Sequence, residues 1–141
     1  MKMVAVLGSP RAKSNSAALA RVILETASKM GAETQEFVLN KLTFKGCQAC
    51  EACKQKMDHC TLKDDLTDVL EAVRDADAVI LATPNYFGEV SGQFKSFFDR
   101  TYSYLNADRL SRLKPGKSSV FIMSQGQPDL VLYTDVVARY D

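Results

Sequence analysis

Four cysteines that lie close together in the sequence have the most distinctive chemistry in the chain. Cys47, Cys50, Cys53 and Cys60 are its whole cysteine content and belong to the segment CQACEACKQKMDHC. Thiolates at intervals of three residues, with a fourth after a short loop, can each bind a different iron of a cubane cluster. Zinc sites more often use two CxxC pairs that are a dozen or more residues apart. The spacing therefore favours a 4Fe-4S cluster, with zinc or uncomplexed thiols as alternatives.

A second candidate site is the polar loop over residues 8–16, GSPRAKSNS, which joins an apolar run to a predicted helix. A helix N-terminus favours an anion because its free N–H groups and the positive end of its dipole point outward. The loop contains neither GxxxxGK[ST] nor GxGxxG, so a nucleoside triphosphate or a dinucleotide is not indicated. Its Ser, Asn and Arg side chains better match a phosphate monoester, although the serines could simply cap the helix.

Continuous apolar runs predict the strands that would position these loops. Residues 3–7, 78–83 and 119–124 lack polar alternation, which is typical of strands covered on both faces in a parallel sheet. Residues 33–39 predict an edge strand beside the first, and Pro84 is expected to end the run before it, ahead of a loop over residues 85–90. Because ligands bind at the carboxyl ends of parallel strands, the loops after Leu7, Thr83 and Met123 are predicted to share one crevice.

Apolar residues at helical spacing predict the helices between these strands. Gly31 is expected to end the first helix, Asp64 and Asp65 to begin the second, Ser91 the third and Asp129 the last. The faces predicted to be buried are Leu19, Val22, Ile23, Ala27 and Met30 in the first helix, Leu66, Val69, Leu70 and Val73 in the second, Phe94, Phe97, Phe98, Thr101 and Leu105 in the third, and Tyr133, Val136, Val137 and Tyr140 in the last. The alternation of strands and helices predicts an α/β fold with right-handed crossovers and helices on both faces of a parallel sheet.

Length and composition indicate one globular domain over residues 1–141, with a cysteine-rich insertion at about residues 44–63. Of its 141 residues 46% are hydrophobic, and 18 basic residues nearly balance 17 acidic ones. The balanced charge favours neither nucleic acid nor an anionic membrane as a partner. We find no signal segment or apolar run of membrane-spanning length and expect a cytoplasmic protein with reduced thiols.

Three segments and the cysteine run together resemble a known family. GSPRAKSNS, PNYFGEVSGQFKSFFDR and SQGQP resemble the NADPH-dependent FMN reductase family, and CQACEACKQKMDHC followed by KDD resembles its iron-sulfur flavoprotein branch. The resemblance covers almost the whole chain and implies a flavodoxin-like three-layer sandwich with strand order 2-1-3-4(-5). The pattern predicts no fifth strand or last helix within residues 1–141. We therefore expect either a longer chain or a partner subunit to cover the edge of the strand that ends at Ser124.

The resemblance also implies which residues hold the cofactors. The FMN phosphate would be bound by Ser9, Arg11, Ser14, Asn15 and Ser16. The isoalloxazine ring would contact Pro84, Asn85, Tyr86, Phe87 and Gly88 along one edge, with Ser124, Gln125 and Gly126 on its other side. Cys47, Cys50, Cys53 and Cys60 would bind the cluster. No catalytic acid or base is expected from the protein, because the flavin carries the chemistry, and a homo-oligomer, dimer or tetramer, is implied.

These features lead to three functional hypotheses. The first is an FMN-dependent oxidoreductase that passes electrons between a 4Fe-4S cluster and FMN to a small-molecule acceptor, with ferredoxin or NADPH as possible donor. The second is an NAD(P)H-dependent FMN or quinone reductase without a cluster. The third is a non-enzymatic electron carrier or a zinc-stabilised interaction module.

Overall fold

A parallel sheet forms the centre of the computed structural model, which describes residues 1–129 and 131–140. The strands are β1 (Lys2–Leu7), β2 (Glu33–Val38), β3 (Ala78–Tyr86), β4 (Glu89–Val90) and β5 (Ser118–Ser124). The four long strands are parallel in the order β2-β1-β3-β5, whereas the short β4 pairs antiparallel with the end of β3. This confirms the predicted flavodoxin-like strand order, in which β5 is the fourth parallel strand. Within the described residues no further strand follows β5.

Helices cover both faces of the sheet. They are α1 (Asn15–Lys29), α2 (Ala52–Gln55), α3 (Leu66–Asp75), α4 (Gly92–Arg100) and α5 (Thr134–Tyr140), with short 3-10 turns at Leu39–Lys41 and Thr101–Tyr104. Because side chains alternate along a strand, Ala5 and Leu7 of β1 contact α1, whereas Val4 and Val6 belong to the core beneath α3 and α4. The three layers of the predicted sandwich follow from this alternation.

The buried face of α1 differs from the predicted one. Ile23 is half-buried and Ala27 is buried as expected, but Leu19, Val22 and Met30 are exposed. The residues that contact the sheet are mostly small: Ala17, Ala20, Leu24 and Ala27. Small side chains let the helix axis approach the sheet closely, so packing distance rather than hydrophobicity determines which face is buried.

Strand β3 continues past the predicted stop at Pro84. It runs to Tyr86, and Asn85 and Tyr86 pair with Val90 and Glu89 of β4. The main-chain N–H and carbonyl of Ala82 point toward β1, since the carbonyl accepts from Gly8 N–H. Main-chain groups alternate in direction along a strand, so the main-chain nitrogen of Pro84, two residues later, points the same way. β1 has already ended there, so the missing proline N–H removes no hydrogen bond between these two strands.

The remaining helix predictions are close to the structure. α3 begins as predicted, with Asp64 Oδ1 accepting from Leu66 N–H at 3.1 Å, and Ser91 caps α4 by accepting from Phe94 N–H. The last helix begins at Thr134 instead of Asp129, whose carboxylate accepts from Val131 N–H in the turn before the helix. Val136 and Tyr140 are buried, Tyr133 is half-buried and Val137 is exposed.

None of the helices in the described residues has both the length and the apolarity that crossing a bilayer requires.

Candidate functional site

The three predicted loops meet at the carboxyl ends of the parallel strands. A cavity of about 210 Å³ opens between them, lined by Ser9, Arg11, Lys13, Ser14, Asn15, Pro84, Asn85, Tyr86, Ser124, Gln125 and Gly126. Ten of the thirteen residues predicted to contact the flavin are in this set. The mouth between the loop after β1 and the tips after β3 and β5 is therefore open and faces the expected way.

A second cavity of about 360 Å³ adjoins the first and shares three of its lining residues. Asn85, Gln125 and Gly126 line both cavities, and Phe87, Gly88, Gln127 and Tyr133 complete the second. Small-molecule sites measure about 300–1,000 Å³, so the two cavities together are in the range of a cofactor site. Phe87 and Gly88, which do not line the first cavity, thus lie beside it.

Ser16 does not line either cavity. Its side chain is fully buried at the start of α1, with its hydroxyl 3.4 Å from that of Ser14. Ser14 is the N-cap of α1, and its Oγ accepts from Ala17 N–H at 3.2 Å. Ser14 therefore caps the helix and also lines the cavity, so its capping role is compatible with the predicted phosphate site.

Asn85 carries an N–H donor that suits a bound ligand. Its Oδ1 accepts from Gly88 N–H at 3.0 Å, which identifies the other end of the amide as the NH₂ group. Within the described residues that buried Nδ2 has no hydrogen-bond partner, although Asn85 lines both cavities. Buried donors are nearly always satisfied, so this atom fits an acceptor on a cofactor such as the carbonyl or nitrogen edge of FMN.

All four cysteines line one other cavity, of about 240 Å³. Cys53 is buried, Cys60 is half-buried, and Cys47 and Cys50 are exposed. As they stand, no three Cys, His, Asp or Glu side chains in residues 1–129 and 131–140 form a group that could hold a single metal ion. A cubane needs each thiolate at a different iron, so four thiols around a shared cavity are the donor set that fits a cluster.

Main-chain turns and cationic side chains hold the cysteine segment in place. Ala49 and Glu51 have positive φ angles of 51° and 54°, which is uncommon for residues with a Cβ and curls the chain between the cysteines. Arg112 donates to the carbonyl oxygen of Cys53 at 2.9 Å. Lys54 donates to the carbonyl oxygens of Tyr102 and Leu105 and lies 3.6 Å from the ring centroid of Tyr102. The lysine next to Cys53 is thus anchored rather than simply solvated.

The thiols lie in different electrostatic surroundings. Hydrogen bonding to the Thr61 hydroxyl, followed by Ala52 N–H, lowers the pKa of the Cys50 thiol below its ordinary value. Burial raises the pKa of the Cys53 thiol, against the opposing effect of the Lys54 cation. Thiolates are the form that binds metal, so metal binding would oppose the effect of burial at Cys53.

Arg100, the last residue of α4, is the main functional candidate that was not predicted from the sequence. Its side chain is fully buried and pairs with Asp64 at 2.8 Å, and Arg100 lines the cysteine cavity. Lys13 in the first cavity, and Gln127 and Tyr133 in the second, were also not predicted as ligands. Lys13 could have been found from the sequence, since it lies within the loop predicted to bind phosphate. Tyr133 was instead predicted to face the core.

The sequence matches known flavoproteins over most of its length. A family model described as NADPH-dependent FMN reductase matches residues 1–127. An iron-sulfur flavoprotein of Archaeoglobus fulgidus is 41% identical over 101 residues, which are 72% of this chain and 49% of that protein. An iron-sulfur flavoprotein of Methanosarcina thermophila is 36% identical over 101 residues, 72% of this chain and 52% of the relative. The chain spans about half the length of these relatives.

Two further comparisons extend to reductases. An FMN-dependent NADPH-azoreductase of Staphylococcus aureus is 32% identical over 120 residues, which are 82% of this chain and 57% of that protein. The solved structure of an NAD(P)H:quinone oxidoreductase from Methanothermobacter marburgensis has a TM-score of 0.72 at 20% identity and covers 99% of this chain and 71% of its own. At that identity the structural match shows the fold alone. The family model and the curated relatives agree, and the chain belongs to the NADPH-dependent FMN reductase family, in its iron-sulfur flavoprotein branch.

Proposed function

We propose that the chain is an FMN-dependent oxidoreductase that passes electrons between a 4Fe-4S cluster and FMN to a small-molecule acceptor. When bound, FMN supplies two-electron chemistry and the cluster one-electron transfer. The observation that supports this most directly is the meeting of all three predicted loops around one open cavity at the carboxyl ends of β1, β3 and β5.

The first cavity would hold the phosphate of FMN. Arg11 and Lys13 are exposed cations beside the N-terminus of α1, and Ser9 and Ser14 add hydroxyls from the same loop. Cations and a helix N-terminus both favour a phosphate group. Ser16 would support this loop from beneath rather than touch the phosphate.

The tips of β3 and β5 would hold the isoalloxazine ring. Asn85 would donate its free N–H to the ring, and Tyr86 and Phe87 are exposed aromatic side chains beside it. Phe87 has a positive φ of 56°, which is a strained conformation for a residue with a Cβ and is common at ligand sites. Ser124, Gln125 and Gly126 would close the opposite side.

The four cysteines would hold the cluster in the separate cavity that they line. Cys47, Cys50 and Cys53 come from the curled segment and Cys60 returns to the same cavity after a loop. The proposal also includes a homo-oligomer, a cytoplasmic location and the use of ferredoxin or NADPH as donor.

Anaerobic reconstitution tests the proposal. The chain is incubated with iron, sulfide and FMN, desalted, and examined by absorbance together with iron, sulfide, zinc and flavin analysis. We expect flavin bands over a broad iron-sulfur shoulder, with about four irons for each FMN. A Cys53→Ser variant should keep the flavin bands and lose the shoulder. Zinc in place of iron, or a wild-type chain that binds no flavin, would contradict the proposal.

A reductase that uses NAD(P)H without a cluster is the second candidate. It is favoured by the azoreductase relative, whose match extends over 82% of this chain. A chain that binds FMN, oxidises NADPH with a quinone or azo acceptor, and keeps that rate in the Cys53→Ser variant would favour this second function.

A further inference from the structure

Arg100 connects the two ends of the cysteine segment. Its Nη1 donates to the carbonyl oxygen of Lys45 at 3.0 Å, and its Nη2 donates to the carbonyl oxygen of Leu62 at 3.2 Å. Lys45 precedes Cys47 by two residues, and Leu62 follows Cys60 by two. One buried guanidinium therefore fixes both ends of the chain segment that carries all four cysteines.

Asp64 balances the charge of this arginine. Its two carboxylate oxygens accept from Arg100 Nη1 at 3.0 and 2.8 Å. An isolated buried cation would be costly, and the pair removes most of that cost. Because the pair is neutral as a whole, any effect of Arg100 inside the cavity would depend mainly on a directional N–H group rather than on net charge.

Nε is the guanidinium nitrogen of Arg100 that these contacts do not use. Within the described residues its buried Nε has no hydrogen-bond partner. An arginine is always protonated and its Nε is a donor only, so this N–H needs an acceptor. Arg100 lines the cavity that the four cysteines share, where the acceptors that a bound cluster brings are thiolate and sulfide sulfurs.

We propose that Arg100 is a positioning residue whose Nε–H donates a hydrogen bond to a sulfur of the cluster bound in this cavity. The inference rests on the proposed function, because it requires that cluster. Hydrogen bonds to cluster sulfurs stabilise the more negative, reduced state and so raise the reduction potential. The arginine thus acts on the redox balance between cluster and flavin, in addition to holding the segment.

Two variants separate the N–H group from the charge. In Arg100→Lys a methylene group occupies the place of Nε, while a cation remains at the end of the side chain. Arg100→Gln is made together with Asp64→Asn, so that no carboxylate is left without its cation. In this double variant an amide N–H occupies the place of Nε, while the ion pair and both carbonyl contacts are lost. Arg74→Lys is the matched control, because Arg74 also has a buried Nε without a described partner and also donates to a carbonyl of this segment, that of Asp58, but does not line the cavity.

The experiment measures the cluster's midpoint potential by anaerobic spectroelectrochemistry in the full chain, after iron, sulfide and FMN analysis of each variant. In Arg100→Lys we expect the equilibrium constant for one-electron reduction to fall about tenfold relative to the control, a shift of about 59 mV to more negative potential. The double variant is expected to keep a potential close to that of the control although it unfolds at a lower temperature.

The outcomes distinguish this inference from the proposed function. A wild-type chain without iron overturns both. A normal iron content with the same potential in Arg100→Lys and Arg74→Lys overturns the hydrogen bond alone. A potential displaced further in the double variant than in Arg100→Lys also overturns it, because the ion pair rather than the N–H would then be responsible. If Arg100→Lys takes up no cluster, the double variant decides: a potential like that of the control supports the inference, and a displaced one overturns it.

Discussion

At the scale of single residues, Asn85 combines a structural contact with a free donor. Oδ1 holds the turn through Gly88 N–H, so Asn85→Asp keeps that bond and replaces only the NH₂ group by a carboxylate oxygen. An acceptor atom of FMN would then face a carboxylate oxygen instead of an N–H group, which weakens the binding free energy by at least about 1.4 kcal/mol. We therefore expect FMN to dissociate at least about tenfold more readily, as measured by quenching of flavin fluorescence during titration.

Asn106→Asp is the control for this prediction. Asn106 Oδ1 accepts from Leu110 N–H at 2.8 Å, so the substitution changes the same group in a similar turn away from both cavities. Equal FMN affinities in Asn85→Asp and the wild-type chain would show that the free amide does not face the flavin.

The lowered pKa of Asp64 indicates how acid should destabilise the fold. Burial alone would raise the pKa of Asp64, but hydrogen bonds from Arg100 and from Lys45 N–H outweigh it and hold the pKa below the ordinary value. A lowered folded-state pKa means that the pair stabilises the fold above the ordinary pKa of about 3.9 and that this stability is lost as the pH falls through the folded value. Asp58 and Asp77 also have lowered pKa values, chiefly because of hydrogen bonds from His59 and from Lys2 N–H, and contribute in the same direction.

The Asp64→Asn variant tests that linkage. At pH 7 it is expected to lose roughly 3 kcal/mol of unfolding free energy, because the buried Arg100 cation keeps no counter-charge. Between pH 5 and pH 2 the variant should lose less stability than the wild-type chain does in urea unfolding. Asp108→Asn, at an exposed turn position, should follow the wild-type curve. Parallel curves for Asp64→Asn and the wild-type chain would contradict the assignment.

At the scale of elements, Gly8 determines how closely the end of β1 approaches α4. A Cβ at this position would lie 2.6 Å from Phe94 Cβ, and Phe94 is fully buried in the aromatic cluster with Phe98, Phe121 and Tyr140. We expect Gly8→Ala to lower the unfolding free energy by roughly 1–3 kcal/mol, because overpacking forces the core apart. Urea denaturation measures the difference.

Gly92→Ala is the matched control for Gly8→Ala. Nothing lies within 4 Å of a Cβ added at Gly92, the first residue of α4. Alanine is the better helix former by up to about 1 kcal/mol, so this variant should be as stable as the wild-type chain or more so. A loss of equal size in both variants would mean that the contact with Phe94 is not the cause.

The strands and their order were predictable, whereas several of the contacts between elements were not. Unbroken apolar runs such as residues 78–82 indicate doubly covered strands without any tertiary information. The face of α1 was predicted wrongly because Leu19 and Val22 are more hydrophobic than Ala17 and Ala20, and only the sheet's proximity selects the small residues. The Asp64 and Arg100 pair lies 36 residues apart in the sequence, so no local pattern reveals it.

The candidate site was predictable where residues follow a strand directly. The loop over residues 8–16, the tip of β3 and the tip of β5 line the expected crevice because parallel strands place their carboxyl ends together. The resemblance to the family assigned Ser16 to the phosphate, but helical geometry turns its side chain inward one position after the helix begins. A serine in the first turn of a helix is therefore a ligand or a core residue according to its angular position.

At the scale of the whole molecule, an apolar strip between α1 and β5 is exposed. Arg21 pairs with Glu36 of β2, so one flank of α1 faces β2. Leu19 and Ile23 are each two residues from Arg21, which at 100° for each residue places them on the opposite flank of the helix, toward β5. Val120 and Ile122 of β5 point to the same face of the sheet. Leu19 and Val120 remain 56% and 45% exposed, and within the described residues β5 pairs with β3 alone. An apolar strip beside a free strand edge favours association with another chain.

We predict that the chain forms homo-oligomers through this strip. Val120→Lys would place a charge on it, so at equal concentration the variant should sediment as a smaller species than the wild-type chain in velocity ultracentrifugation. Val137→Lys is the control, because Val137 is also exposed but lies on α5, on the opposite face of the sheet. A wild-type chain that is monomeric at every concentration contradicts the association itself. Dissociation by Val137→Lys but not by Val120→Lys would place the interface on the other face of the sheet, over α5, and the strip would then need another explanation for its exposure.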